Sequence, residues 1–260
     1  MLVSELMLQQ TQVARVLPKY EVFLDRLPTV TACARASVAD VVTLWAGLGY
    51  NRRAVNLHRC AVDVVVHHDG RVPDELSKLL ELPGIGPYTA RAVLAFAYER
   101  DVAIVDTNVA RVLARWAGRP LGRREVQELA DSLVPAGEGW AWNQAMLDLG
   151  ATVCAKRRPS CARCPIVTTC AWRARDLGEP DPAVGSFGVS AGQSTFAGSD
   201  REGRGRLVAV LRSQGTLDSN RVAEAAGWPA DPERAARVAS TLVADGLAVW
   251  TPDGTLTLPS

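Results

Sequence analysis

Apolar residues recur every three or four positions through most of the first two thirds of the chain. This period matches the turn of an α-helix and places the apolar side chains on one face. Long runs that alternate apolar and polar residues, as half-buried strands do, are absent there. The pattern predicts helices over residues 4–27, 37–50, 52–68, 74–82, 89–99, 107–117, 124–134 and 142–154. We therefore predict a mainly α fold up to about residue 176.

Turn and cap residues refine these helices. Pro18 has no amide hydrogen, so we expect it to interrupt the first predicted helix. Ser37, Asp74 and Asp106 lie at the start of apolar-periodic segments. Their side chains can accept hydrogen bonds from the free amides of a first helical turn, so we predict that they are N-caps.

The last third of the chain has a different character. Residues 177–204 are rich in glycine, serine and proline, which predicts a linker between a helical domain at 1–176 and a module at 205–260. The module has three short helical segments and two β-rich runs around residues 252–254, which predict a hairpin. This combination is typical of a winged-helix-like module. A packing or protein-interaction role for it is at least as consistent with the sequence as DNA binding.

Charge is unevenly distributed, although the net charge is only +1. Residues 1–175 contain 22 lysines and arginines against 17 acidic residues, whereas residues 176–260 contain 7 against 11. The basic first part fits a polyanionic partner. No apolar run reaches the length of a membrane helix and no signal peptide opens the chain. We expect a cytoplasmic protein without a membrane partner.

The stretch LPGIGPYTA, residues 82–90, joins two predicted helices through Gly84 and Gly86. Glycine permits tight backbone conformations and removes side-chain bulk. If a helix begins near Tyr88, the amides ahead of it form an anion site suited to a phosphate. An ordinary helix–glycine–helix connection would have a similar sequence.

Four of the six cysteines follow the spacing C-x6-C-x2-C-x5-C, namely Cys154, Cys161, Cys164 and Cys170. Thiolates this close can hold a four-iron cluster or a structural zinc ion. Zinc sites more often show two C-x2-C pairs, so the single pair favours an iron–sulfur cluster. The other two cysteines, Cys33 and Cys60, lie on helical faces and are interpreted as core residues.

These features together resemble the helix-hairpin-helix base-excision glycosylases that carry an iron–sulfur cluster. The resemblance covers about residues 2–175 and is closest to the adenine DNA glycosylase (MutY) family. It rests on LPGIGPYTA, VDTNVARVLAR, the cysteine spacing, SELMLQQTQVARVLPKYEVFLDRLPTV, LWAGLGYNRRAVNLH and WNQAMLDLGATVC. It implies a helix-hairpin-helix domain with a 4Fe-4S cluster in the loop 154–170.

The resemblance also implies catalytic roles. Asp106 would stabilise the sugar cation that remains when a base departs, with Asn108 as its polar neighbour. Glu5 would protonate adenine, although from the residues alone it reads as a surface glutamate early in a helix. Tyr88 takes the position where bifunctional relatives carry a lysine nucleophile. Tyrosine cannot form a Schiff base, so strand cleavage is not expected.

Contacts to DNA are implied by the same resemblance. Gly84 and Gly86 would hold a phosphate while a nucleotide is flipped out of the helix. Gln10, Thr11 and Tyr50 would enter the duplex at the lesion. Gln144 would bind the adenine edge, since an amide can both donate and accept there. Independently of the resemblance, the basic charge of the loop 154–170 predicts that Arg157 and Arg158 contact the DNA backbone.

The resulting hypothesis is a monofunctional DNA glycosylase that excises adenine mispaired with 8-oxoguanine or guanine. Its partner would be double-stranded DNA with a mismatch or an oxidised guanine, and we expect a monomer associated with the nucleoid. One alternative is a thymine or uracil mismatch glycosylase, which shares the turn, Tyr88, the aspartate and the cluster. Another is a non-enzymatic iron–sulfur protein that binds DNA or senses redox state.

Overall fold

The computed structural model describes residues 1–176, 178–188 and 195–260. These residues form two compact units. The first unit contains Met1, Asp74–Leu80 and the described part of residues 85–188. The second unit contains Leu2–Pro73, Glu81–Gly84 and residues 195–260. Both units are dominated by helices, which confirms the predicted mainly α fold.

The α-helices in these ranges are α1 (Leu2–Leu8), α2 (Val13–Arg26), α3 (Val30–Arg35), α4 (Val38–Leu44), α5 (Arg52–His67), α6 (Leu76–Glu81), α7 (Pro87–Ala97), α8 (Thr107–Ala117), α9 (Arg123–Leu133), α10 (Gly139–Asp148), α11 (Ala171–Ala174), α12 (Asp200–Gln214), α13 (Val222–Ala226) and α14 (Pro232–Ala244). A π-helical turn, Leu149–Val153, follows α10. Short 3₁₀ turns lie at Cys161–Arg163, Val167–Thr169 and Ser219–Arg221. None of the helices in the described ranges is long and apolar enough to cross a membrane.

Each predicted helical segment contains a helix, but the expected break at Pro18 is wrong. Pro18 lies inside α2, and the chain breaks earlier, between Leu8 and Val13. Gln10 has a φ of 54° there, a left-handed conformation that ends α1. Pro18 occupies the second turn of α2 and removes only one backbone hydrogen bond, which the helix tolerates.

Two of the three predicted N-caps are confirmed. Ser37 caps α4 in a capping box with Asp40, and Asp106 caps α8. Asp74 is not a cap, because α6 begins only at Leu76. Its carboxylate instead pairs with Arg100 at 2.9 Å.

Helix α8 runs through the core of the first unit. Its residues Val109, Leu113 and Ala114 are buried and pack with Val126 and Ala130 of α9. Each fully buried leucine or valine side chain contributes roughly 1.5–3 kcal/mol relative to an exposed one. This packing fixes the direction of α8, and therefore the place of the side chains at its first turn.

The second unit buries Trp45 completely, with Phe23 in edge contact at 6.5 Å between ring centroids. Its C-terminal part contains α12, α13, α14 and three strands: β1 (Thr216–Asp218), β2 (Val249–Trp250) and β3 (Thr255–Thr257). The strand order is β1-β3-β2, and both pairs are antiparallel.

The predicted hairpin is confirmed as β2 and β3, with Gly254 at a φ of 80° in the turn. Strand β1 was not predicted, because its three residues are too short to show a pattern. Residues 178–188 belong to the first unit, where Ala183 and Ser186 are buried, and α12 begins at Asp200. The domain boundaries at 176 and 204 stay a prediction.

Candidate active site

The carboxylate of Asp106 is held by the first turn of α8. Its Oδ1 accepts hydrogen bonds from the backbone N–H groups of Asn108 (2.8 Å) and Val109 (2.7 Å). Its Oδ2 accepts from Asn108 Nδ2 at 3.0 Å. The positive end of the helix dipole adds to these contacts. These hydrogen bonds therefore hold the Asp106 carboxylate in one orientation.

A hydrogen-bonded chain links this carboxylate to the loop of cysteines. Asn108 Oδ1 accepts from Arg111 Nη2 at 2.9 Å. The same guanidinium donates to the carbonyl oxygens of Gly150 (2.6 Å) and Cys154 (2.8 Å). A Cβ on Gly150 would approach the Cβ of Asn108 to 2.6 Å, so only glycine fits there. Asn108 was predicted from the sequence as a site residue, whereas Arg111 was not.

Asn143 is a second residue that sequence reasoning missed. It is 1% exposed, and its Oδ1 accepts from the N–H of Ile104 at 2.7 Å. Its Nδ2 donates to the carbonyls of Val102 and Gly139, both at 2.8 Å. These bonds anchor the extended segment that leads to Asp106. The neighbouring Gln144 is half-buried on α10.

The glycine turn precedes α7, which begins at Pro87, one residue before the predicted start near Tyr88. Gly84 has a φ of 79°, and a Cβ there would approach Asn56 Cβ to 2.6 Å, so both conformation and packing require glycine. At Gly86, the N-cap of α7, a Cβ would meet no described atom within 4 Å. The ring of Tyr88 packs against a small buried cluster that includes Ile104.

Glu5 lies in α1, in the second unit, and is 9% exposed. The interpretation as a surface glutamate is therefore wrong. Its neighbours Leu6 and Met7 are fully buried and hold this part of α1 in the core. Burial raises the pKa of the Glu5 carboxyl, because a charge is poorly solvated there.

Arg53 organises the loops that carry Gln10 and Tyr50. It is 7% exposed and lies 5.4 Å from the ring centroid of Trp45. Its two terminal nitrogens donate hydrogen bonds of 2.5–3.1 Å to Leu6 O, Met7 O, Gln9 O, Thr11 Oγ1, Leu48 O and Gly49 O. Burial lowers its pKa to about 10. No motif pointed to Arg53.

The loops held by Arg53 present two residues in left-handed conformations, Gln10 (φ 54°) and Tyr50 (φ 46°). Such conformations are uncommon outside glycine and mark positions that the surrounding structure imposes. Gln10 and Tyr50 are exposed. Thr11 is half-buried instead, and its hydroxyl donates to the carbonyl of Leu48 at 3.3 Å.

The four clustered cysteines, Cys154, Cys161, Cys164 and Cys170, line one cavity. Apolar side chains such as Leu149, Ile166 and Trp172 complete its walls. Within the described ranges, no group of three or more His, Cys, Asp or Glu side chains is arranged to hold a metal ion. Cys33 and Cys60 are 5% and 0% exposed, which confirms them as core residues.

Arg115 of α8 supports the same loop. It is 2% exposed, lies 4.5 Å from the ring centroid of Trp172 and donates to Cys154 Sγ at 3.4 Å. Asp181 pairs with it at 2.6 Å, which neutralises a buried charge. Arg157 and Arg158 of the loop are exposed.

Known proteins with a similar fold share this architecture. Residues 3–136 match the model of the HhH-GPD superfamily base excision DNA repair protein. A thermostable thymine-DNA glycosylase is similar with a TM-score of 0.63 and 30% identity, over 67% of this chain and 83% of that one. An endonuclease III trapped on DNA as a covalent intermediate has a TM-score of 0.61 and 22% identity, over 68% and 84%, and shows the fold alone. The class is therefore that of helix-hairpin-helix base-excision repair proteins.

Relatives with similar sequences identify the family within this class. The adenine DNA glycosylase of Mycolicibacterium smegmatis is 42% identical over 266 residues, which cover 99% of this chain and 86% of that protein. The chain belongs to the adenine DNA glycosylase (MutY) family.

Proposed function

We propose that this protein is a monofunctional DNA glycosylase that excises adenine mispaired with 8-oxoguanine or guanine during base excision repair. The observation that carries the proposal is the Asp106 carboxylate, fixed by two amides of α8, in a chain that is 42% identical to an adenine DNA glycosylase along 99% of its length. The buried Glu5 supports the choice of adenine as the leaving base.

Adenine leaves poorly as an anion, so breaking the bond between the base and C1′ needs a proton. Glu5 supplies it to adenine N7, because its raised pKa keeps the acid form at higher pH than an ordinary glutamate. The bonding electrons leave with the protonated adenine, and the sugar becomes an oxocarbenium ion. Asp106 stabilises this cation until water adds to C1′ and releases a proton.

Strand cleavage needs an amine that forms a Schiff base with the sugar. Tyr88 stands where bifunctional relatives carry a lysine, so the product is an intact strand with an abasic site. The ring of Tyr88 packs on the core at the start of α7 and helps to fix the glycine turn.

The four cysteines would hold a 4Fe-4S cluster. Their common cavity with apolar walls fits such a group, and Arg115 is placed to stabilise negative charge on Cys154 Sγ. A single metal ion would need its sulfur ligands about 2.3 Å from one centre, whereas a cluster distributes four thiolates over several iron atoms. A bound cluster would order the loop 154–170, in which Arg157 and Arg158 are exposed and would contact DNA.

The placement of the remaining residues suggests the substrate contacts. Gly84 and Gly86 shape the turn before α7, whose N-terminus favours a phosphate. Gln10 and Tyr50 are exposed in imposed conformations and would enter the duplex. Thr11 contributes mainly by holding its loop, since its hydroxyl is used there. Gln144 would contact the adenine edge. A monomer in the cytoplasm, associated with the nucleoid, remains our prediction.

A thymine mismatch glycosylase is the second candidate, because the thymine-DNA glycosylase shares the fold at 30% identity. Adenine remains favoured, since thymine departs without protonation by a buried acid such as Glu5. Asp106 and Glu5 together also argue against a non-enzymatic DNA-binding or redox-sensing protein.

One experiment separates these candidates. Labelled duplexes with A:8-oxoguanine, A:G, T:G and U:G pairs are incubated with excess protein and analysed with and without hot alkali. We expect excision of adenine only, with strand breaks that require alkali. Breaks in the T:G or U:G duplexes alone would establish the mismatch alternative, and no break in any duplex would favour the non-enzymatic one.

A further inference from the structure

The loop between α4 and α5, residues 45–51, carries Tyr50 in a conformation that the loop alone does not enforce. Gly47 and Gly49, with φ of 89° and 71°, leave its backbone many alternatives. Tyr50 itself has a φ of 46°, which is uncommon for a residue with a side chain. Such a conformation persists only where the surrounding structure imposes it. The loop therefore needs anchors on both sides of Tyr50.

The anchor on the preceding side is Arg53. Its Nη2 donates to the carbonyl oxygens of Leu48 and Gly49, both at 3.1 Å, which fixes the chain up to Tyr50. The residue that follows Tyr50 is Asn51, the N-cap of α5. Its side chain makes no capping hydrogen bond to α5 within the described residues. The amide oxygen of Asn51 is thus available to a second anchor.

That second anchor is Arg212, a half-buried residue of α12. Its Nη2 donates to Asn51 Oδ1 at 2.8 Å, and its Nε donates to the carbonyl oxygen of Val42 at 3.0 Å. Val42 lies in the last turn of α4, where carbonyls lack the amides of a further turn. The planar guanidinium makes both bonds at once. Arg212 therefore ties the end of α4 to the start of α5, around the loop that carries Tyr50.

Other contacts hold the C-terminal part of the chain against α4 and α5, which belong to the same unit. The carbonyl oxygen of Pro259 accepts from the N–H of Ala39, in the first turn of α4, at 2.9 Å. Asp245, next to the end of α14, pairs with Arg204 of α12 and, at 3.4 Å, with Arg52 of α5. Helix α12 is therefore fixed relative to the loop, and Arg212 reaches Asn51 from a defined position.

We propose that Arg212 is a positioning residue: together with Arg53 it holds the loop 45–51 so that Tyr50 is presented to the duplex. Arg212 acts through Asn51 rather than by contacting DNA. The C-terminal part of the chain then contributes to lesion recognition by fixing the conformation of a loop that lies about 160 residues earlier. This inference rests on the proposed function for the role of Tyr50.

The first test compares Arg212→Ala with Arg206→Ala, an exposed arginine of the same helix that pairs with Glu202. Fluorescence anisotropy measures binding to an undamaged duplex and to a lesion duplex, which has a tetrahydrofuran abasic analogue opposite 8-oxoguanine. We expect Arg212→Ala to lose about tenfold of the preference for the lesion duplex, since a hydrogen bond to a charged group contributes about this factor or more. Arg206→Ala removes the same charge and should keep the wild-type preference.

The second test asks whether Arg212 acts through Tyr50. Tyr50→Ala removes the side chain that Arg212 is proposed to position, so the double variant should have the same preference for the lesion duplex as Tyr50→Ala alone. Two residues that contribute independently would instead give losses that multiply. Multiplied losses would overturn the inference, because a purely structural or electrostatic role of Arg212 does not depend on Tyr50.

Asn51→Ala provides a variant that leaves α12 intact. It removes the partner on the loop side, and we expect it to reproduce the loss of preference caused by Arg212→Ala. Circular dichroism and melting temperatures verify that each variant is folded. If Arg212→Ala does not fold, Asn51→Ala decides: a tenfold loss supports the inference, and a wild-type preference overturns it.

Binding preference does not depend on excision, so the same samples separate this inference from the proposed function. If the wild type prefers the lesion duplex but excises no adenine opposite 8-oxoguanine, the proposed function fails. The inference is then still decided by the preferences of Arg212→Ala and Asn51→Ala. A wild type without any preference for the lesion duplex would overturn the inference itself.

Discussion

At the scale of single residues, two carboxylates in opposite environments define the candidate chemistry. Asp106 accepts three hydrogen bonds at the start of α8, which hold its carboxylate in one orientation. Glu5 is buried in α1, which favours its neutral form. An acid and an anion held in this way match the two roles that base excision requires.

Replacing either carboxylate by its amide tests this assignment. Asp106→Asn keeps an oxygen that can cap α8 but removes the negative charge, and Glu5→Gln keeps the shape but removes the acid. We expect both changes to slow single-turnover excision of adenine. For Glu5→Gln the loss should be at least 100-fold, the lower end of the typical contribution of general acid catalysis, about 10²–10⁴-fold. Binding to a duplex with a tetrahydrofuran abasic analogue opposite 8-oxoguanine should change little. A near-wild-type rate for Glu5→Gln would remove adenine protonation from the mechanism.

The raised pKa of Glu5 predicts a pH profile. If the protonated form of Glu5 is the active one, as we propose, the single-turnover rate should fall as pH rises through the raised pKa, and Glu5→Gln should lack that fall. A buried acid with a raised pKa also lowers the free energy of unfolding as it ionises. Glu5→Gln should therefore melt at the same or a higher temperature than the wild type above that pKa. A lower melting temperature would show that Glu5 stabilises the fold through its charge.

The N-cap environment of Asp106 could be predicted from the sequence, but the burial of Glu5 could not. Asp106 directly precedes a helical pattern, and an N-cap bonds only to amides two or three residues further along, so local sequence is sufficient. The burial of Glu5 depends on residues far along the chain that cover α1. The role of Arg53 could not be predicted for the same reason, since its hydrogen-bond partners lie up to 47 residues away in sequence.

At the scale of elements, α8 connects the candidate active site with the cysteine loop. Asp106 and Asn108 lie at its first turn, and Arg111 and Arg115 occupy the side that contacts the loop. Helical periodicity predicted α8 correctly, because its apolar face is continuous. The break after α1 escaped prediction, since it depends on a left-handed Gln10 that Arg53 stabilises from another helix.

Close packing between α8 and the π-helical turn 149–153 can be tested with Gly150→Ala. The added methyl group would approach Asn108 Cβ to 2.6 Å and disturb the residue that positions Asp106. We expect a loss of about 1–3 kcal/mol in stability from overpacking, and slower excision at saturating protein. Gly205→Ala in α12 is the matched control, because its Cβ meets no described atom within 4 Å. It should be neutral or slightly stabilising, as alanine favours helix. Equal melting temperatures for the two variants would contradict the prediction.

At the scale of the whole molecule, the net charge of +1 gives little indication of a nucleic acid partner. The positive charge is instead concentrated locally. Residues 154–175 contain six lysines and arginines and no acidic residue. The net charge is therefore a poor guide to whether the chain binds a polyanion, because a polyanion responds to the local field rather than to the total.

Variants of the cysteine loop can measure how much it contributes to that field. Arg157 and Arg158 are exposed and come shortly after the first cysteine of the loop. If both contact phosphates, replacing them with alanine should weaken binding to matched, mismatched and abasic duplexes alike, because phosphates carry no sequence information. The slope of log affinity against log salt should become shallower by about two. Arg124→Ala with Arg237→Ala removes the same charge from two exposed positions outside the loop, and should leave the slope unchanged. Fluorescence anisotropy at several salt concentrations gives all these values. A loss confined to the A:8-oxoguanine duplex would mean instead that these arginines read a base.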